Sequence, residues 1–123
     1  METKQHSNIE AEMQVVGSLL VENGLCHRMK PLAESDFSDP VIAAIYAEII
    51  RRVQQGGLAS AVTMKDWAIA YGLSAGLDEG FMIRLLVNLT ASAVMPMTSI
   101  LAHVDAIAEA SQKRALSRAL AAL

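Results

Sequence analysis

Cysteine is almost missing from this chain: Cys26 stands alone among 123 residues. No disulfide can form within the chain, and such usage fits a reducing compartment. Aromatic residues are scarce, at 4%, so any core must be aliphatic. Long apolar runs are also missing. None approaches the roughly 18 residues that a bilayer-spanning helix needs. The opening METKQHSN is polar and carries no signal-peptide core. A cytoplasmic protein with no membrane partner is the expectation. Positive charge is in deficit: 10 Lys and Arg stand against 13 Asp and Glu, a net −3. That balance argues against tight phosphate-backbone binding, which needs clustered cations. The basic residues are scattered apart from the pairs Arg51–Arg52 and Lys113–Arg114.

Motifs of chemistry are missing as well. There is no GxxxxGK[ST] phosphate loop, and Gly56-Gly57 lacks the lysine that would complete one. No HExxH, CxxC or histidine-rich spacing offers a metal site. His6, His27 and His103 lie far apart. No catalytic, cofactor-binding or metal residue is therefore assigned.

What remains is apolar and helical. The chain is 53% hydrophobic, enough for the core of one domain. In NIEAEMQVVGSLL, the residues Ile9, Met13, Val16, Leu19 and Leu20 recur at steps of three and four. That predicts a helix over 9–21, opened by a Ser7–Glu10 capping box and stopped at Asn23-Gly24. Glu10 and Glu12 fall in its first turn, where carboxylates suit the exposed amides. Two residues apart on a helix they diverge, so they make no catalytic pair.

Leu25 to Leu32 reads as a brief helix. Ser38 or Asp39 can cap the next one, with Pro40 in its first turn. Its face is Val41, Ile42, Ile45, Ile49, Ile50 and Val53, and Gly56-Gly57 ends it. Thr63 and Asp66 form a second capping box, and Gly72 closes the helix that follows. Phe81 to Thr90 is a further helix, with Met82, Leu85, Leu86 and Leu89 on one side. From Met97 to about Ala122 runs a long helix with Ile100, Leu101, Val104, Ile107, Ala108, Leu116 and Leu120 among its apolar positions.

These elements predict an all-α fold: a flexible tail over 1–8, a head of about four helices over 9–76, and a helical hairpin over 77–123. The hairpin would project and leave an apolar face in need of a partner. Leu85, Leu86, Leu89, Ile100, Val104, Ile107 and Ala108 are the expected self-association residues. RALAAL breaks off inside a helical pattern, which reads as a cut rather than a terminus.

Cys26 beside His27 reads as a small hydrophobe next to a surface histidine. The seven methionines sit at helical spacing and read as core filler. Lys113, Arg114 and Arg118 form a small basic cluster that suits a helix C-terminus; touching nucleic acid is its rival role.

The order of the segments carries a resemblance. IEAEMQVVGSLL resembles the EAExxVLGxLL opening of the N-terminal domain of DnaB-type replicative DNA helicases. LAESDFSDPVIAAIYAEI is similar to that family's LxxxDFxxxxHxxIFxAI segment, with Asp36-Phe37 at the DF. VTM at Val62–Met64 resembles VTL, and TASAV resembles PSAAN. HVDAIAEASQKRAL is similar to YAxIVxExAxxRxL, with Arg114 at the Arg. The likeness spans about Asn8 to Leu120. It departs at the family histidine after DF, which is absent, and at the Asp two residues before VTL, which is Ser60 here. Glu79-Gly80 stands where the family has GG.

The resemblance implies a non-catalytic domain whose hairpins pair into dimers, as the collar of a hexameric ring. It implies primase and helicase loader as partners, and DNA only through the parent protein. ATP and Mg would belong to a separate motor domain. Two alternatives stand beside it: a free-standing helicase-binding module resembling the C-terminal domain of primase, and a small DNA-binding regulator.

Overall fold

The structure, a computed structural model, describes residues 8–94 and 97–123. Ser7, nearly all of the expected tail, and Met95-Pro96 lie outside those residues. Among the described residues five α-helices follow one another: α1 (Ile9–Val21), α2 (Pro40–Gln54), α3 (Lys65–Ser74), α4 (Glu79–Ala91) and α5 (Met97–Ala121). Two short 3-10 turns, Asn23–His27 and Glu34–Asp36, lie between α1 and α2. No strand occurs among the described residues, so the all-α expectation holds.

Local chemistry sets most of the helix ends. Asn8 caps α1, its side-chain oxygen accepting from the Ala11 amide at 3.2 Å. Asp39 caps α2 by accepting from the amides of Val41 and Ile42 at 2.8 and 3.1 Å, with Pro40 at the first helical position. Asp78 caps α4 through the Phe81 amide at 2.7 Å. After α2 the chain turns through Gly56, whose φ of +79° suits glycine alone, and the Gly57 amide reaches back to the Arg52 carbonyl at 2.8 Å.

Two helix signals resolve differently from the sequence expectation. Thr63 does not open α3, which starts at Lys65 without a side-chain cap. Its hydroxyl and that of Ser60 instead bond each other's backbone amides, at 2.9 and 3.1 Å, around the turn before α3. Ser60 thus closes this turn where the resembling family carries Asp. Gly72 does not end α3 either. It is buried against Met82 of α4, and a Cβ there would overlap that side chain. The turn after α3 comes at Gly76, with φ +81°.

α1 lies at the centre. Val15, Val16, Gly17, Ser18, Leu19 and Leu20 are all buried, so the helix is covered all round rather than along one stripe. It packs against α2, α4 and α5, while α3 packs on α4. α1 and α4 approach closely at Gly17. A Cβ there would overlap the Leu89 carbonyl oxygen and stand 2.8 Å from its carbon. One residue on, the Ser18 hydroxyl accepts from the Val94 amide at 2.9 Å and donates to the Gln14 carbonyl at 2.7 Å.

The apolar faces expected on the hairpin are turned toward α1. α4 and α5 both lie on α1 and make little contact with each other. Residues 77–123 therefore share one core with residues 9–76 over most of their length. The physical reason is that α1 has two further buried faces that only α4 and α5 cover.

Gly17→Ala is expected to lower stability by about 1–3 kcal/mol, as overpacked cores do. Alanine's helix preference, worth about 1 kcal/mol over glycine, works against that loss without cancelling it. Gly24→Ala meets nothing within 4 Å and should stay within about 0.5 kcal/mol. Thermal melts followed by circular dichroism compare the two.

Candidate functional site

The polar groups inside this domain hold helices together. Glu12 is 1% exposed although it lies in the first turn of α1. Its carboxylate accepts from the Ser38 amide at 2.9 Å and the Ser38 hydroxyl at 2.7 Å. The Asp39 amide adds a longer contact at 3.4 Å. Glu12 thereby fixes the chain leading into α2, while Glu10 faces solvent. The pair diverges as helical spacing requires, but burial of Glu12 is a feature the spacing does not show.

A second junction joins the 3-10 turn at Glu34–Asp36 to α5. Asp36 accepts from the Ala33 amide at 2.8 Å and from the Ser111 hydroxyl at 2.8 Å. Arg114 donates to the Asp36 carbonyl at 2.7 Å. Asp36 and Arg114, the two charged residues singled out by the resemblance, thus meet across 78 residues of chain. Beside them Phe37 and Tyr46 are buried with ring centres 4.9 Å apart. The Tyr46 hydroxyl accepts from the Leu32 amide at 3.2 Å. Burial raises its pKa, and the Leu32 hydrogen bond pulls the other way. Asp36, Phe37 and Tyr46 are structural.

On α2, Glu48 accepts from both Arg51 and Arg52, with contacts of 2.9, 2.5 and 2.7 Å. Arg52 also donates to the Thr63 carbonyl at 2.9 Å, tying α2 to the turn before α3. The Arg51 hydrogen bonds hold the Glu48 carboxyl below its ordinary 4.5 against the effect of burial, and Arg52 adds to the lowering.

No cluster of three or more metal-ligating side chains occurs among the described residues. Cys26 packs against the core and His27 is exposed. Asp105 pairs with Lys30 at 3.3 Å on the surface, a contact of small energetic worth. The basic cluster is divided: Arg114 bonds the head, while Lys113 and Arg118 are exposed. No helix among the described residues is long and apolar enough to cross a membrane.

The seven residues expected to mediate self-association are mostly interior. Leu86, Leu89, Ile100, Val104 and Ile107 are each at most 2% exposed within the single chain. Leu85 and Ala108 are partly buried against the same core. Helical periodicity identified an apolar face on each helix correctly; it does not say which neighbour covers that face, and here α1 does.

Other apolar residues stand outside. Val62 is 84% exposed and Val87 56%. With Ala61, Lys65, Ile83 and Leu86 they line a groove of about 300 Å³ between the start of α3 and α4. On the last turns of α5, Leu116 and Leu120 are each 60% exposed and four residues apart, hence on one side of the helix. These two strips are the candidate interaction surfaces. Clusters of exposed apolar residues mark contact sites more often than isolated ones do.

The Glu48 cluster sets a pH dependence. Its folded carboxyl titrates below the unfolded one, so its contribution is full above about pH 4.5 and is lost as pH falls through the lower folded value. Glu48→Gln should lower the Tm at pH 7, and the gap to the parent chain should close as pH falls through the lowered folded value. Melts across that range read it out.

A family model described as the DnaB-like helicase N terminal domain matches residues 4–109. Comparison with curated proteins and with solved structures finds no match. The matched span runs from before α1 to just past Ile107, the last buried residue of α5. The ordered segments, the five-helix fold and this match agree: the chain belongs to the family of DnaB-like helicase N-terminal domains.

Proposed function

We propose that this chain is a non-catalytic assembly domain of a replicative DNA helicase, acting in DNA replication in the cytoplasm. It joins copies of the parent protein into a ring and offers a face to a primase or a helicase loader. ATP hydrolysis, with its Mg ion, is assigned to a separate motor domain. The family match over residues 4–109 carries this reading.

The physical features of the chain support an assembly role. Its buried polar groups, Glu12, Ser18 and Glu48, are all hydrogen-bonded within the chain, as is the half-buried Asp36. Among its exposed apolar residues, Val62 and Val87 line the α3–α4 groove and Leu116 and Leu120 lie on one side of the end of α5. In this reading self-association uses Leu116 and Leu120, and the residues of the inner faces support it by holding α5 in place. Small interfaces of this kind bury little area and are weak until several act together in a ring.

Sedimentation equilibrium of the 123-residue chain tests the self-association. The double variant Leu116→Glu and Leu120→Glu is expected to weaken dimerisation at least about tenfold, or about 1.4 kcal/mol. Its melt should match the parent chain, since both positions are exposed. A parent chain that stays monomeric at millimolar concentration would remove self-association from the proposal.

A further inference from the structure

The α3–α4 groove joins a rigid apolar wall to one cation. Leu86, 2% exposed, forms its floor, with Ala61, Val62, Ile83 and Val87 around it. Val62 is held outward on a braced turn. The Asn23 side chain bonds both the amide and the carbonyl of Ala59, at 2.9 and 2.7 Å. The Thr63 hydroxyl donates to the Leu58 carbonyl at 2.9 Å, and Arg52 donates to the Thr63 carbonyl at 2.9 Å. A wall fixed in this way loses little freedom when another chain packs on it.

The only charged side chain lining the groove is Lys65. It is exposed and has no ion-pair partner among the described residues. It is also the first residue of α3, where the helix dipole disfavours a cation. The charge therefore works against its own helix and is answered by no carboxylate in the groove.

We infer that the α3–α4 groove docks a segment of a partner protein that brings an apolar side chain to the groove and a carboxylate to Lys65. Exposure and charge select this occupant. Val62 and Val87 are 84% and 56% exposed, so a small molecule held within the groove's 300 Å³ would leave them wet. A segment of chain crossing the groove covers them. Lys65 and the N-terminus of α3 are both positive, so both attract an anion. A second copy is disfavoured. A two-fold contact joins one patch to itself and would set Lys65 close to Lys65, and like charges across an interface cost affinity. The inference rests on the reading above for the partner's role, and gives the docking face a place and a chemistry.

Methyl and amide NMR of the full 123-residue chain tests it by titration with two capped peptides. The first is acetyl-Ala-Leu-Leu-Asp-Ala-amide, and the second carries Asn in place of Asp. The Asp peptide should shift Val62, Ile83 and Val87 saturably, and the Asn peptide should bind about threefold more weakly, the scale of one exposed charge pair. That difference should shrink in high salt. Lys65→Glu should weaken the Asp peptide about fivefold, and a peptide with Lys in place of Asp should recover the loss. Val62→Ser should weaken both original peptides alike. Neither variant should lower the Tm, since both positions are exposed and Lys65→Glu suits the helix dipole. Equal binding of the Asp and Asn peptides overturns the inference. So does the lack of saturable shifts at Val62, Ile83 and Val87, or shifts that fall on Leu116 and Leu120 instead. A lower Tm for Lys65→Glu also overturns it, because Lys65 would then serve its own fold. Failure here leaves self-association through α5 standing, and a monomeric chain would leave this titration intact.

Discussion

Everything in this domain depends on how closely α4 can approach α1. At Gly17 the two backbones meet where no side chain fits, against the Leu89 carbonyl. That contact lets Leu89, Met82 and Leu86 sink fully into the core. It also brings the Ser18 hydroxyl within reach of the Val94 amide at the chain's return toward α5. A glycine inside a helix costs roughly 1 kcal/mol relative to alanine. Here that cost is offset by the packing of three helices around one.

Because α1 is enclosed, the loops that leave it must be tied by side chains. Glu12 holds the entry to α2, and Asp36 holds α5. Both carboxylates sit on or beside the long connection between α1 and α2, which has only two 3-10 turns of its own. A connection so poor in regular hydrogen bonding needs outside partners for its backbone amides. Glu12 satisfies those of Ser38 and Asp39, and the Tyr46 hydroxyl satisfies that of Leu32. The same connection carries the buried Phe37, whose ring packs on that of Tyr46.

Much of the fold was legible in the sequence because much of it is local. The helix over 9–21, the Asp39–Pro40 start of α2 and the long α5 follow from spacing and caps within a few residues. Errors arose where a residue's partner is distant. Gly72 has the look of a helix stop, yet it marks a close contact with Met82 across the α3–α4 turn. Thr63 fits a capping box, yet Ser60 engages it one turn earlier. The partner of Glu12 lies 26 residues away. The inner faces of α4 and α5 were correctly apolar, but spacing cannot distinguish a face meant for another copy from one meant for α1. Gly17 was the available signal, since a glycine kept inside a helical pattern points to close packing.

The inner faces of α4 and α5 are covered within the single chain, which leaves the outer strips for the association proposed above. Methyl NMR of the Leu, Val and Ile residues, recorded as the 123-residue chain is concentrated, tests it most directly. Shifts are expected at Leu116 and Leu120, with Leu89, Ile100, Val104 and Ile107 unmoved. Shifts spread through Leu89, Ile100, Val104 and Ile107 would contradict it. They would mean that α4 and α5 leave α1 to pair with another copy.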